Sequence, residues 1–154
     1  GMKPTVYFSN SNIYPQQEYD VRKHELKRFL EAQNVPYVED EYDHHEWLSV
    51  IKGLEDEPER GSRCSVCFQF RLSHAAKYAQ EHGFHLLTTT LASSRWKNIR
   101  QIDTAGHLAV EAYPDVEWWD MNWRKGGLQN RRGELLRINE FYNQLYCGCE
   151  FSMR

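Results

Sequence analysis

Four cysteines fall in two close pairs, Cys64-x-x-Cys67 in "GSRCSVCFQF" and Cys147-x-Cys149 in "YCGC". Thiolates bind soft metals, and four of them complete either a tetrahedral zinc site or the ligand set of a four-iron cluster. A CxxC at a helix start also suits redox thiols, because the helix N-terminus stabilises a thiolate, and buried free cysteines can serve simply as small hydrophobes. Two tight pairs among only four cysteines favour a shared centre. Gly148 lets the backbone turn so that both sulfurs of the second pair face one point. Ligand count leaves zinc and iron–sulfur open. The halves lie about 80 residues apart and one of them is CxC, which leans toward a functional centre that the fold must assemble.

A second set of polar residues is "TTTLASSRWKN", Thr88 to Asn98, with three hydroxyls at a strand end and Ser94 and Lys97 in the loop beyond. Hydroxyls, a lysine and a helix N-terminus suit a phosphate or another polar ligand, although β propensity and helix capping account for the same Thr and Ser. Arg95, Lys97 and Arg100, with Arg124, Lys125, Arg131 and Arg132, alternate with Trp96 and Trp123. That mixture suits RNA, whose unpaired bases stack on aromatic rings, while a solvated helix face explains Arg124 to Arg132 nearly as well. His44, His45 and Glu46 in "DHHEW" do not read as a metal site, since neighbours on a helix point about 100° apart. No Walker loop, GxGxxG or GxSxG occurs, so nucleotide hydrolysis and serine chemistry have no support.

These residues must be positioned by a chain of 154 residues, a length that fits one domain over 2–154. Its 19 Lys and Arg against 22 Asp and Glu give a net charge of −3, so an anionic partner needs a local basic patch. No apolar run approaches a membrane span and no secretory signal is read at the start, from which a cytoplasmic protein with no membrane partner and no structural disulfides is expected.

Hydrophobic periodicity alternates between short β-like runs and longer helical ones, the pattern of an α/β fold with a mostly parallel sheet flanked by helices. Strands are predicted at Thr5 to Phe8, Pro36 to Glu39, Phe84 to Leu91 and Val116 to Met121, with Phe84 to Leu91 the strongest. Helices are predicted from Glu18 to about Ala32, with Leu26, Phe29 and Leu30 inward, and after an Asp43 cap, with Trp47, Val50, Ile51 and Leu54 inward. A third follows the CxxC and stops at Gly83. A fourth turns Ile99, Ile102, Ala109, Val110 and Tyr113 inward, and a last one Leu128, Leu135, Ile138 and Tyr142. Parallel sheets bind ligands beyond the carboxyl ends of their strands, where the loops starting at Ser9, Leu91 and Asn122 lie.

In this order and spacing, "NIYPQQEY", "KGLEDEPERGSRCSVCF", "TTTLASSRWKN", "RKGG" and "YCGC" resemble the cobalamin-independent epoxyqueuosine reductases of the QueH type, over nearly the whole chain. The resemblance implies an adenine-nucleotide α-hydrolase-like (HUP-type) fold and reduction of epoxyqueuosine to queuosine at the tRNA wobble position. It further implies an iron–sulfur centre, most simply 4Fe-4S, on Cys64, Cys67, Cys147 and Cys149. Zinc is the alternative metal, in a catalytically impaired or non-catalytic relative with the same fold. The partners implied are tRNA and an external electron donor, and Ser94, Lys97 and Lys125 are assigned to the substrate or its flanking phosphates. Members of that family begin with a strand, a CCxxC motif and a helix that have no counterpart before Met2. A fold truncated at its N-terminus is therefore expected, with sheet area left for a neighbouring subunit, as in a homodimer, to cover.

Overall fold

The structure is a computed structural model that describes residues 1–153. Its elements run β1 (Val6–Phe8), α1 (Gln16–Ala32), β2 (Tyr37–Glu39), α2 (His44–Val50), α3 (Ser62–Glu81), β3 (Leu86–Leu87), α4 (Ile99–Val110), β4 (Glu117–Trp118) and α5 (Leu128–Ile138). Short 3-10 turns lie at Thr90–Ser93 and Glu150–Ser152. The α/β class and the parallel pairing follow the expectation, but the single sheet does not. Among the described residues, β1 pairs in parallel with β2 and β3 with β4, as two separate two-stranded sheets.

Each pair forms through alternate backbone groups. In a parallel ladder alternate residues of a strand bond to a given neighbour. Val6 and Phe8 face β2, through Pro36 O and Asp40 N at 2.9 Å each, and this turns the backbone of Tyr7 to the opposite edge. His85 O and Leu87 O likewise accept from Glu117 on β4 and from Trp119 just after it, so Leu86 faces away. The expected strand Phe84 to Leu91 is only two residues long, and its threonines make other bonds. Thr89 Oγ1 accepts from Leu91 N at 3.2 Å and starts a 3-10 turn, while Thr88 Oγ1 donates to Trp119 O at 3.1 Å.

Helix α3 joins the two halves. One of its faces packs Phe68 and Leu72 with Ile102, Ala105, Ala109 and Trp118 into a core that Leu87 and Leu91 border. Its other face reaches the first sheet, where Tyr78 lies 5.0 Å from the Tyr7 ring. A second buried cluster joins Trp47 and Ile51 to Cys67 and Cys149. Two expectations about inward faces fail: Val50 is 42% exposed, and α5 buries no residue, with Ile138 71% exposed. An apolar stripe is buried only where a partner covers it, and on α5 Leu128 and Leu135 are only half-buried. The cap by Asp43 holds, its carboxylate accepting from Glu46 N at 2.9 Å.

Helix α4 comes close to β4 at one glycine. A methyl group on Gly106 would stand 2.2 Å from the Trp118 ring, whose Nε1 donates to Asp103 Oδ1 at 3.2 Å. Gly106→Ala is therefore expected to destabilise the protein by about 1–3 kcal/mol or more through overpacking. Gly133→Ala on α5 meets open space and should stabilise it by about 0.5–1 kcal/mol. Urea unfolding midpoints check both, and an unchanged midpoint for Gly106→Ala contradicts the close approach.

Candidate metal centre

The first thiol pair lies in the opening turns of α3, the start of which is shaped by Gly61: a Cβ there would meet Pro58 O at 2.9 Å. Cys64 Sγ accepts from Arg60 N at 3.3 Å, and Cys67 follows one turn on, buried. Just before them, Arg63 is 2% exposed. Its Nη1 donates to the carbonyls of Leu54 at 3.3 Å, Glu55 at 2.9 Å and Glu57, and its guanidinium lies 5.0 Å from the Phe151 ring. The acidic loop before the helix thus turns its carbonyls inward and leaves Glu55 and Asp56 in solvent. Burial pushes the Cys67 thiol up to about 11, and burial also raises Cys64.

The second pair is gripped from several elements. Arg22 on α1, buried, donates through Nη1 to Cys147 O at 2.8 Å and through Nη2 to Tyr146 O at 2.9 Å, while its Nε meets Glu18 Oε1 at 2.8 Å. Tyr14 N donates to Gly148 O at 2.9 Å, and Ser152 Oγ donates to Cys149 O at 2.8 Å. Gly148 has φ +145°, and a Cβ there would sit 3.1–3.2 Å from Ile13, Arg22 and Asn12, so this position needs glycine for both conformation and space.

The two pairs have neighbours in common. Cys67 and Cys149 share one buried cluster, and Cys147 is close enough to both Cys64 and Cys67 to influence their ionisation. Lys97 Nζ donates to Cys147 Sγ at 2.9 Å and lies 5.5 Å from the ring of Phe68, the residue after Cys67. All four cysteines are free thiols. As placed, no three His, Cys, Asp or Glu among the described residues form a set that could hold a metal ion. Four free thiols are the donor type that suits a thiolate-held metal or cluster.

The other predicted site residues separate. Lys97 is engaged with a thiol. Ser94 and Lys97 offer their carbonyls to Arg124 Nη2, Lys97 O at 2.6 Å, and Lys125 is exposed beyond the turn. His44 bonds Ser11 O through Nδ1 at 2.8 Å and Glu150 Oε1 through Nε2 at 3.0 Å, whereas His45 is exposed, so the two do not share a ligand. Sequence reading missed Arg22, although a signal existed: it interrupts the buried stripe of α1 between Tyr19 and Leu30. It also missed Asp40 and His74. Asp40 Oδ2 accepts from Ser9 Oγ at 2.7 Å and pairs with His74 Nδ1 at 2.8 Å, fastening the loop after β2 to α3.

Burial pushes the Asp40 carboxyl up, but donors from His74, Ser9 and Tyr7 outweigh it and leave it below its ordinary 3.8. The Asp40 bond raises His74 above its ordinary 6.5, against burial. A lowered acid contributes stability above its unfolded value, and a raised base contributes below its own. The pair's contribution is therefore full between about 3.8 and 6.5 and is lost as pH rises through the raised His74 value or falls through the lowered Asp40 value. The stability gap between wild type and His74→Ala, from urea unfolding across pH, should be widest near pH 5–6 and narrow on the alkaline side. For the metal-free thiols, iodoacetamide footprinting by mass spectrometry should modify partly exposed Cys64 and Cys147 before buried Cys67 and Cys149. The Cys67 rate should still be climbing toward pH 11, and early modification of Cys67 at neutral pH contradicts the buried placement.

The family model described as epoxyqueuosine reductase QueH matches residues 1–154. A protein named epoxyqueuosine reductase QueH from Histophilus somni is 49% identical over 154 residues, covering 100% of this chain and 63% of its own length. The proteins of the same name from Acinetobacter baylyi and Thermotoga maritima are 46% and 32% identical, with 100% and 96% of this chain and 71% and 78% of their own lengths covered. Against the first of these the chain spans somewhat under two thirds of the relative's length. With a family model matched from end to end and relatives near half identical, the chain belongs to the epoxyqueuosine reductase QueH family.

Proposed function

We propose that this protein reduces epoxyqueuosine to queuosine at the wobble position of tRNA, with an iron–sulfur centre on Cys64, Cys67, Cys147 and Cys149. The observation that carries the reading is the approach of two thiol pairs, 80 residues apart from Cys67 to Cys147, around Lys97 and the Trp47 cluster. Opening an epoxide to an alkene takes two electrons and two protons and releases the oxygen as water. An iron–sulfur centre, when bound, supplies electrons one at a time and a Lewis-acidic iron, and an external donor must reduce it.

The chain's own residues hold and orient. Arg22 fixes the backbone of the second pair, and the apolar wall of Trp47, Ile51 and Phe151 keeps water from Cys67 and Cys149. Lys97 places an ammonium beside Cys147, where it can follow negative charge as it develops on sulfur or on the departing oxygen. Ser94 and Lys125 are assigned to the substrate and its flanking phosphates. The two parallel strand pairs are read as parts of an adenine-nucleotide α-hydrolase-like sheet.

The test is to express the natural full-length protein in cells that accumulate epoxyqueuosine and to measure tRNA nucleosides by mass spectrometry, with iron and sulfide analysis of anaerobically purified protein. Wild type should convert the epoxide and carry iron, and Cys64→Ser and Cys147→Ser should each lose both. Lys97→Met should keep the iron while turnover falls by about 10²-fold or more, the scale of one lost oxyanion donor. Zinc without iron in the anaerobic preparation, or unchanged conversion by the cysteine variants, overturns the reading.

A further inference from the structure

The loop before α4 exposes a large ring on an unusually well-held backbone. All four carbonyls of Ser94 to Lys97 are taken by two guanidinium groups from distant parts of the chain. Arg60 donates through Nε to Trp96 O at 2.6 Å and through Nη2 to Arg95 O at 3.4 Å, and Arg124 donates through Nη2 to Ser94 O and to Lys97 O at 2.6 Å. Arg60 is itself tied down, its N–H on Cys64 Sγ at 3.3 Å and its carbonyl accepting from Gln101 Nε2 at 3.0 Å. Burial and the like charge of Arg60 pull the Arg124 guanidinium below its ordinary value, as two cations facing one short loop require. With its carbonyls occupied, this loop has its shape set by the fold.

Trp96 stands on that loop 75% exposed, and among the described residues its indole has no ring, cationic or hydrogen-bonding partner. Exposing an indole forgoes a large burial energy, so a fixed loop that presents one suits a partner with a flat face. The neighbouring Trp123 is different: its Nε1 is buried and its ring lies edge-on to Trp119 at 5.4 Å. Trp96 also has an address, for the next residue is Lys97, whose Nζ touches Cys147 Sγ. Arg95, Arg100 and Lys125 are exposed on the same loop, on α4 and on the turn before α5, whereas exposed Glu55, Asp56 and Glu59 lead into Arg60. A polyanion is therefore drawn along the lysine and arginine side and turned away from the acidic loop.

We infer that Trp96 is a stacking platform for an unpaired RNA base adjacent to the nucleotide that reacts at the thiol centre. The inference rests on the tRNA reading above and adds the residue that receives the strand. Stacking on a preorganised ring is tolerant of base identity and contributes little salt dependence, while the arginines supply phosphate contacts that salt weakens.

The test is fluorescence anisotropy of a labelled RNA stem-loop with a single-stranded loop, titrated with the natural full-length protein and its Trp96→Ala, Trp96→Phe and Arg100→Ala variants at several salt concentrations. Trp96→Ala should raise Kd about tenfold with the slope of log Kd against log salt unchanged, and Trp96→Phe should stay within about threefold of wild type. Arg100→Ala should reduce the salt slope by about 0.7. Thermal melts should match wild type for both Trp96 variants, as an exposed side chain requires. A wild-type Kd for Trp96→Ala, or an equal loss in Trp96→Phe, overturns the stacking role while leaving the tRNA reading in place. Failure of folded wild-type protein to bind the stem-loop overturns both.

Discussion

Arg22 links the two ends of the chain: from α1 it bonds the carbonyls of Tyr146 and Cys147, some 125 positions on, while Glu18 neutralises it. Hydrogen bonds from a charged donor contribute about 1.5–3 kcal/mol each, and a buried carbonyl left without a partner costs about 1–3 kcal/mol. The segment that holds Cys147 and Cys149 contains no long helix or strand of its own. Its position relative to α3 depends on this guanidinium, on the Tyr14 to Gly148 bond and on the absence of a side chain at Gly148.

The same device recurs through the molecule. Arg63 gathers three carbonyls of the loop before α3, Arg60 and Arg124 take four from the loop before α4, and Arg71 donates to Ser9 O at 2.8 Å and Asn10 Oδ1 at 2.6 Å after β1. The reason lies in the sheets, which contain strands of two or three residues and satisfy few backbone groups. Loops that approach the interior must find donors elsewhere, and the planar guanidinium fork can serve several carbonyls at once.

The thiols combine two environments that matter for metal binding. Cys67 and Cys149 lie in an apolar cluster, and burial holds Cys67 as a neutral thiol in the metal-free protein. Cys64 and Cys147 are partly exposed and have donors, Arg60 N and Lys97 Nζ. A metal held there, as proposed, would have to expel protons from buried sulfur, which would link occupancy to pH.

The sequence by itself determined the α/β class, the order of its elements, the Asp43 cap and the stop at Gly83. These depend on periodicity and local hydrogen bonding, which short windows of residues express. It did not determine that Lys97 faces Cys147, that Arg22 holds the second pair, or that Trp96 and not Trp123 faces solvent. It also overextended the strand at Phe84 to Leu91 and expected an inward face on α5 that is only half-buried at Leu128 and Leu135 and exposed at Ile138. Those outcomes belong to the tertiary structure because each is a competition between partners distant in the chain. A lysine, an arginine or a tryptophan carries no local mark of which carbonyl, sulfur or ring will meet it once the helices have packed.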